Sequence, residues 1–435
     1  MSAAVDTAEA LARRLSGARG WRLVASSVYS VDVGMDDSKL CGHYRPPRAT
    51  GEITGGVFII WEDGTVSRGR IDSNTLARLP RDIELWRSLA YRDDDAAHIA
   101  GLMPPTQVEL FDPRVADVVT GDSGPVFEAV VQIAEAAREG GADVIDAGVG
   151  CSAVETVIAT SSGLWVKHPE TSVWCSWGID KTMSGIRLGR DREALAGLAR
   201  AVSVTRRLAL AAKARVRVDA RDMRVILTPR VVESFIGHYI LHNMAGENVA
   251  EGRSRYSLEQ FRESARVFRD DVSLIIDTAV PMGPGSHLCT SEGIPSGRAA
   301  LIEGGQLAVP ILNVKYARRC RMAPTPIPAG GMPPGHAGLM LRAENTESWA
   351  QLLSGADDAI LVDNVLGMHT QDPTTGNFSL AVPDGIVMHA GQFAGAAKVV
   401  ISGNFMKAMN EVDTRFALSE EDPNPGIELT CHVES

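Results

Sequence analysis

Between Thr228 and His242 the chain reads Thr-Pro-Arg-Val-Val-Glu-Ser-Phe-Ile-Gly-His-Tyr-Ile-Leu-His, a run that predicts a capped helix. Thr228 suits the N-cap and Pro229 suits the first helical position, where no backbone donor is missed. Gly246 is the predicted helix stop. Residues four apart share a helix face. His238 and His242 are therefore candidate ligands of a single Zn²⁺ ion.

The residue after the first histidine does not fit a complete zinc peptidase helix. In such a helix this residue is usually a glutamate, which serves as the general base. Here it is Tyr239, and a phenol with a reference pKa of about 10 is a poor base near neutral pH. Glu233 is expected on a different part of the helix, in solvent. The run thus predicts two metal ligands, and the catalytic residue stays unknown.

Length and composition predict a soluble, cytoplasmic protein. The chain has 435 residues, 45% hydrophobic and 22% charged, which is ample material for two domains. Its net charge of −11 argues against a nucleic-acid partner, because phosphate contact needs clustered positive charge. We expect no membrane span and no secretory signal. The six cysteines show no Cys-x-x-Cys pair and are expected to be free thiols.

The hydrophobic pattern predicts an α+β fold of two domains. In the first, residues 1–219, helices alternate with paired strands, which indicates an α/β sheet domain. The second, residues 220–435, carries short strands between Gly/Pro turns and is expected to be β-rich, barrel-like or sandwich-like. The predicted helices are 7–17, 80–90, 126–138, 191–213, 229–243 and 257–266. The predicted strands include 21–33, a hairpin of Val57–Trp61 with Thr65–Ser67, and 143–149 and 153–160, followed by a turn at 161–163.

The second half resembles the TldD/PmbA family of peptidases. No single segment is specific, but the order and spacing of several over about 150 residues are. The segments that carry the resemblance are Ile276-Asp277, Ser286, Glu292–Pro295, Leu301–Leu307, Ser348–Leu353, Gly376–Ser379 and Ile401–Asn404. The resemblance implies an α/β N-terminal domain, a β-rich C-terminal domain and a dimer that encloses a peptide-sized cavity.

The resemblance also implies a metal site in one branch of the family. That branch carries a His-Glu-x-x-x-His helix and a cysteine near the C-terminus, whereas the other branch lacks them and serves as the partner subunit. In this chain the first His of the motif becomes Gly237 and the Glu becomes His238, while the last His is kept as His242. Sliding the motif by one residue restores the pair His238 and His242.

The third metal ligand is predicted in the C-terminal tail. Cys431 lies where the resemblance places the family's cysteine, and His432 is the alternative. The predicted zinc site is thus His238, His242 and Cys431. A second site from His287, Cys289 and Glu292 is conceivable, but a strand that ends in a turn explains these residues more simply.

Three functions are compatible with these features. The first is a zinc-dependent peptidase that hydrolyses an amide bond of a small or unfolded peptide inside a dimer cavity. The second is a non-catalytic subunit that pairs with a TldD/PmbA paralogue, which the missing Glu favours. The third is a scaffold recruited to specialised small-molecule biosynthesis. The sequence leaves open the substrate and the choice between homodimer and heterodimer.

Overall fold

The computed structural model describes residues 3–42, 46–139, 141–328, 338–419 and 422–434. The strands of its N-terminal half are β1 (Gly20–Asp36), β2 (Lys39–Leu40), β3 (Arg48–Ile60), β4 (Thr65–Asp72), β5 (Tyr91–Arg92), β6 (Ile145–Thr160), β7 (Trp165–Ile179) and β8 (Met183–Gly189). They form one antiparallel sheet in the order β5-β4-β3-β1-β6-β7-β8, with β2 paired to β1.

Helices cover one face of this sheet. Successive strand residues point to opposite faces, and residues of one parity, such as Leu23, Ile59 and Val149, are buried against the helices. The helices are α1 (Ala3–Arg14), α2 (Thr75–Ser88), α3 (Pro113–Thr120), α4 (Gly124–Arg138) and α5 (Leu198–Ala212), with a short 3₁₀ turn at Arg192–Leu195. On the opposite face, Ile158 and Val166 pack with Leu288 and Cys289 of the second half.

The C-terminal half contains a closed five-stranded barrel and a smaller sheet. The barrel strands are β9 (Arg221–Leu227), β15 (Ala359–Val362), β16 (Asn377–His389), β17 (Gln392–Asn404) and β19 (Gly426–Glu434). The barrel closes because β19 pairs with both β17 and β9. The smaller sheet has the order β12-β11-β10-β13, with β10 (Val272–Asp277), β11 (Arg298–Glu303), β12 (Gln306–Leu307) and β13 (Leu339–Ala343).

Short elements complete this half. β14 (Thr346–Ser348) and β18 (Arg415–Leu418) extend the barrel sheet beside β19. The helices are α6 (Pro229–Phe235), α7 (His242–Met244), α8 (Gly246–Ala250), α9 (Leu258–Arg262), α10 (Val314–Cys320), α11 (Trp349–Ser354) and α12 (Phe405–Ala408), with a 3₁₀ turn at Met368–Thr370. Between α6 and α7 the chain forms a π-helix, Ile236–Leu241. We call the continuous run of residues 229–244 the histidine helix.

The structure confirms the predicted α+β class, with an N-terminal sheet domain and a C-terminal barrel. The division at residues 219 and 220 stays a prediction. None of the helices within the described ranges is both long and apolar enough to cross a bilayer.

Several predicted boundaries were wrong. The strands expected at 143–149 and 153–160 are one strand, β6, because its pairing with β7 continues without interruption from Ile145 to Ala159. Gly150 lies within this pairing, and a Cβ there would lie 2.4 Å from Nε1 of Trp174. The helices expected at 80–90 and 257–266 span Thr75–Ser88 and Leu258–Arg262 instead, and 191–213 divides into a 3₁₀ turn and α5. Gly246 does not stop the histidine helix but begins α8, after a break at Ala245.

Candidate active site

The histidine helix is held by one apolar face. Phe235, Ile236, Tyr239 and Ile240 are fully buried in the core that the barrel and the smaller sheet share. The ring of Phe235 packs at 5.0–5.7 Å between centroids against three neighbouring rings, those of Phe405, Phe378 and Tyr239. The Tyr239 hydroxyl donates to the carbonyl oxygen of Asn377 at 3.0 Å. The other face of the helix, which carries both histidines, is therefore fixed in place.

The helix start matches the prediction in outline. Thr228 has the extended backbone of an N-cap and Pro229 stands in the first turn, but Thr228 makes no capping hydrogen bond with its side chain. The π-turn at Ile236–Leu241 has wider, i→i+5 hydrogen bonding. Such turns recur at functional sites. The turn also changes the rotation between residues four apart, so the pair does not have the geometry of an ordinary zinc-peptidase helix.

The structure brings His238 and His242 together, and both are half-buried. Burial lowers the pKa of His242, and the neighbouring His238 and Arg253 lower it further. His242 is thus neutral near pH 7, the form that binds metal. Nε2 of His238 lies 3.0 Å from the carbonyl oxygen of Gln371. A carbonyl only accepts, so Nε2 carries the proton and Nδ1 holds the lone pair of the neutral ring.

Cys431 does not join the two histidines. It lies on β19 inside the barrel core, with 2% of its surface exposed. Burial raises the pKa of its thiol to about 12, and the charge of Asp222 adds to this effect. Metal binding needs a thiolate, so this environment does not suit a ligand.

The alternative ligand, His432, points to the opposite face of the same strand. It is exposed, with Nδ1 3.0 Å from Asp222 Oδ1 and Nε2 3.3 Å from Glu434 Oε1. Its pKa is raised, chiefly by the hydrogen bond to Asp222. His432 is therefore engaged in a surface ion pair.

The three residues His287, Cys289 and Glu292 do not form a second metal site. Nε2 of His287 lies 3.1 Å from the Pro326 carbonyl oxygen. Glu292 is taken by the Arg22 guanidinium at 2.7 Å and by the Val314 amide at 2.7 Å. Within the described ranges no group of three or more His, Cys, Asp or Glu side chains is placed to hold one metal ion. The donors of this chain alone do not fit a three-ligand zinc site, and the predicted site stays a prediction.

Glu233 is not solvated, contrary to the prediction. It is half-buried, and its Oε1 accepts a hydrogen bond from Nδ2 of Asn424 at 2.7 Å. Burial raises the pKa of its carboxyl, and the charge of Asp422 raises it further. The residue bridges the histidine helix and the segment before β19. The contact between Glu233 and Asn424 could not be predicted from the sequence, because the two residues are 191 positions apart.

Two residues that the sequence did not single out shape the site. Asn243 is fully buried, and its Nδ2 donates to the carbonyl oxygens of Tyr239 and Pro373, both at 2.8 Å. It therefore ties the helix to the loop at 371–375. On that loop Asp372 lies near both histidines, and its pKa is lowered, first by hydrogen bonds from Thr374 and then by the histidines. The only available signal for Asn243 was its place next to His242.

Comparison with known proteins finds a family model that matches the second half and solved structures that are similar to the whole chain. Residues 220–421 match the family model described as the PmbA/TldA metallopeptidase C-terminal domain. The crystal structure of TldE from Thermococcus kodakarensis is similar with a TM-score of 0.83 and 15% identity, over 99% of this chain and 100% of that one. A candidate modulator of a DNA gyrase from Thermotoga maritima is similar with a TM-score of 0.77 and 18% identity, over 99% of both chains.

One further structure and one curated sequence are also similar to this chain. A candidate modulator of DNA gyrase from Bacteroides thetaiotaomicron has a TM-score of 0.75 at 15% identity, over 99% of this chain and 97% of that one. An uncharacterized protein of Methanocaldococcus jannaschii is 21% identical over 190 residues, 43% of this chain and 44% of that protein. The aligned part thus spans less than half of the length of that curated relative. At such identities the structural likenesses show the fold alone, and it is the match of residues 220–421 that shows the second half of the chain to be a C-terminal domain of the TldD/PmbA family.

Proposed function

We propose that this chain is a non-catalytic subunit of a TldD/PmbA-type peptidase assembly. In this role it forms part of the wall of a peptide-sized cavity, and a paralogue with an intact His-Glu-x-x-x-His helix supplies the metal and the base. The observation that carries the proposal is the donor set. The described residues offer two histidines at the motif position and no third ligand beside them.

The available bases support the same assignment. A general base works best with a pKa near the working pH. Asp372, a carboxylate that interacts electrostatically with both histidines, has a lowered pKa and is exposed. Burial raises the pKa of Tyr239 to about 12, and its hydroxyl is used on Asn377. Neither group is suited to take a proton from a bound water near neutral pH.

The test compares the chain alone with the chain co-expressed with a paralogue that has the intact motif. We expect the purified single chain to bind no stoichiometric Zn²⁺ and to leave a casein-derived peptide uncut. The co-purified pair should carry zinc and cut the peptide. His242→Ala in this chain should leave the zinc content of the pair unchanged, whereas removal of the paralogue's motif histidines should abolish it. One firmly bound zinc per single chain, lost in His238→Ala, would refute the proposal.

A zinc peptidase of this chain itself is the second candidate, because His242 is held neutral next to His238. A partner copy would have to add the third ligand and the base. In that case a homodimer alone would bind zinc and hydrolyse peptides, and His242→Ala would remove both properties. Size determination with metal analysis on the same sample separates the two candidates.

We also propose that the assembly works in the cytoplasm. All six cysteines are free, and five of them are buried. Free thiols persist in a reducing compartment.

A further inference from the structure

A cationic cleft lies next to the histidine site, on the far side of the loop at 371–375. Its volume is about 650 Å³, within the range of small-ligand sites. Three cations and four side-chain amides line it, and among the described residues no acidic side chain does so. We call it the arginine cleft; its polar lining is Arg255, Arg266, Lys407, Gln260, Asn377, Asn404 and Asn410. The cleft thus has a local excess of positive charge, although the net charge of the whole chain is −11.

The two arginines keep donors free. In the described part of the chain, Arg255 uses only Nη1, toward the carbonyl oxygens of Thr374 and Thr375 at 3.3 and 3.2 Å. Arg266 uses only Nη1, toward Gly304 at 3.4 Å. Nε and Nη2 of each guanidinium therefore have no protein acceptor there. A guanidinium presents paired donors that match the two oxygens of a carboxylate. Lys407 contributes less, because Glu411 pairs with it at 3.4 Å.

The remaining lining of the cleft is apolar. Tyr256 and Met406 are almost fully buried and contact each other, with the hydroxyl 3.9 Å from the sulfur, and Val267 lies beside them. A bare phosphate would leave this surface unused. A peptide whose last residue is apolar would use both parts: its side chain would lie on the half-buried Val267 and on the small part of Tyr256 and Met406 that reaches the cleft, and the α-carboxylate would meet the guanidiniums.

The cleft is connected to the histidine site through shared backbone. Arg255 binds the carbonyls of the loop whose Gln371 carbonyl contacts His238. The backbone amide of Arg255 donates to Oδ1 of Asn243, one residue after His242. Tyr239 of the histidine helix donates to the carbonyl of Asn377, which lines the cleft. A ligand anchored in the cleft is therefore positioned relative to the histidine face.

We propose that the arginine cleft binds the free C-terminal carboxylate of a short peptide with an apolar last residue. The choice of a peptide rests on the proposed function, whereas the choice of a carboxylate rests on the free guanidinium donors. The cleft thereby gives this subunit a defined part in substrate selection, because it favours peptide ends over internal segments.

Calorimetric titration of the full chain tests this inference without catalysis or metal. The probes are acetyl-Ala-Ala-Leu with a free carboxylate, the same peptide as its C-terminal amide, and inorganic phosphate. We expect saturable binding of the acid, at least about tenfold weaker binding of the amide, and weakening of the acid's binding as salt is raised. Equal binding of acid and amide, or binding of phosphate alone, overturns the proposal.

Variants locate the binding to the cleft. Arg266→Gln should weaken acid binding about tenfold or more, and Arg255→Gln should do the same. Arg298→Gln is the charge-matched control, because Arg298 is exposed on β11 and does not line the cleft. Binding that all three variants leave unchanged places the peptide elsewhere and overturns the proposal. If the acid fails to bind while the co-purified pair still cuts peptides, only this inference fails and the proposed function stands.

Discussion

The Glu233 carboxyl on the histidine helix makes the stability of the fold depend on pH. Burial is the largest cause of its raised pKa, and the hydrogen bond from Asn424 opposes it only in part. Between the ordinary glutamate pKa, about 4.3, and the higher folded value, the folded state holds a proton that the unfolded chain has lost. The free energy of unfolding therefore falls as pH rises through this window.

Glu233→Gln should remove this dependence. The amide keeps an oxygen acceptor for Asn424 Nδ2 and carries no charge to desolvate. We expect the variant to be more stable than the parent chain at pH 7 and to approach it below about pH 4. Urea unfolding across pH 4–8 measures the difference. Glu259→Gln, on the exposed side of α9, is the control and should show no such trend; a parallel shift at all pH values would contradict the assignment.

Residue patterns predicted part of the candidate site. The i,i+4 spacing predicted His238 and His242 as neighbours, and the two lie near each other although the π-turn changes the rotation between them; their role as metal ligands stays a prediction. The position of Cys431 was also readable, because alternation along β19 buries Leu429, Cys431 and Val433 and exposes the residues between them. Cys431 was nevertheless predicted as a metal ligand, because the family resemblance places a cysteine at this position. The partners Gln371 and Asn424 could not be predicted, since each lies more than 100 residues from the helix.

The closure of the barrel depends on close approach of elements at the start of β19. There Gly426 faces the indole of Trp349 from α11, and a Cβ on this glycine would lie 2.2 Å from a ring carbon and 2.9 Å from the carbonyl oxygen of Leu227. Leu227 belongs to β9, the strand that β19 pairs with to close the ring. Only a residue without a side chain fits this point.

Gly426→Ala should therefore weaken the barrel. Overpacking of this kind typically costs about 1–3 kcal/mol, and we expect a lower urea midpoint with an unchanged m-value. Amide exchange along β9 and β19 should become faster than in the parent chain. Gly297→Ala is the control, because a Cβ there meets nothing within 4 Å. A midpoint equal to that of the control would show that Trp349 moves aside without loss.

The sequence predicted element types better than element lengths. Alternation and turn residues correctly indicated a hairpin around residues 61–65 and a turn at 161–163. They failed at β6, where two strands were expected but a single strand runs through Gly150, a glycine that makes room for Trp174 on the neighbouring strand. A glycine required by packing and a glycine required by a turn look alike in one sequence. The sequence pattern did not distinguish a barrel from a sandwich. The strand pair that closes the barrel, β9 with β19, joins segments about 200 residues apart, and no local pattern shows such a pairing.

At the scale of the whole molecule, two arginines join the halves, Arg190, which is buried, and Arg22, whose side chain is 16% exposed. Arg190 reaches from the N-terminal half to the carbonyl oxygens of Gly283, Pro284 and Ser286, at 2.8–3.3 Å, while its Nη1 pairs with Glu170. Arg22 of β1 pairs with Glu292 across the same face of the sheet. Neither contact was predictable from the sequence, because the charge of an arginine does not show which distant residue it contacts in the folded chain. Both indicate that the halves unfold together.

Arg22→Ala tests how much the Arg22–Glu292 pair contributes to holding the two halves together. The guanidinium lies 2.7 Å from Glu292 Oε1 and 4.2 Å from the centre of the Phe58 ring, and the two charged side chains are only 16% and 7% exposed. Its removal would leave the Glu292 carboxylate buried with the Val314 amide as its remaining donor among the described residues. Losing one partner of a buried pair typically costs about 3–5 kcal/mol. We expect a loss of that size, and we expect calorimetry to show one unfolding transition for the parent chain and two for the variant. Arg13→Ala, from an exposed pair with Glu9, should cost less than about 1 kcal/mol. If Arg22→Ala behaved like this control, the two halves would have to be held together by their apolar contacts alone.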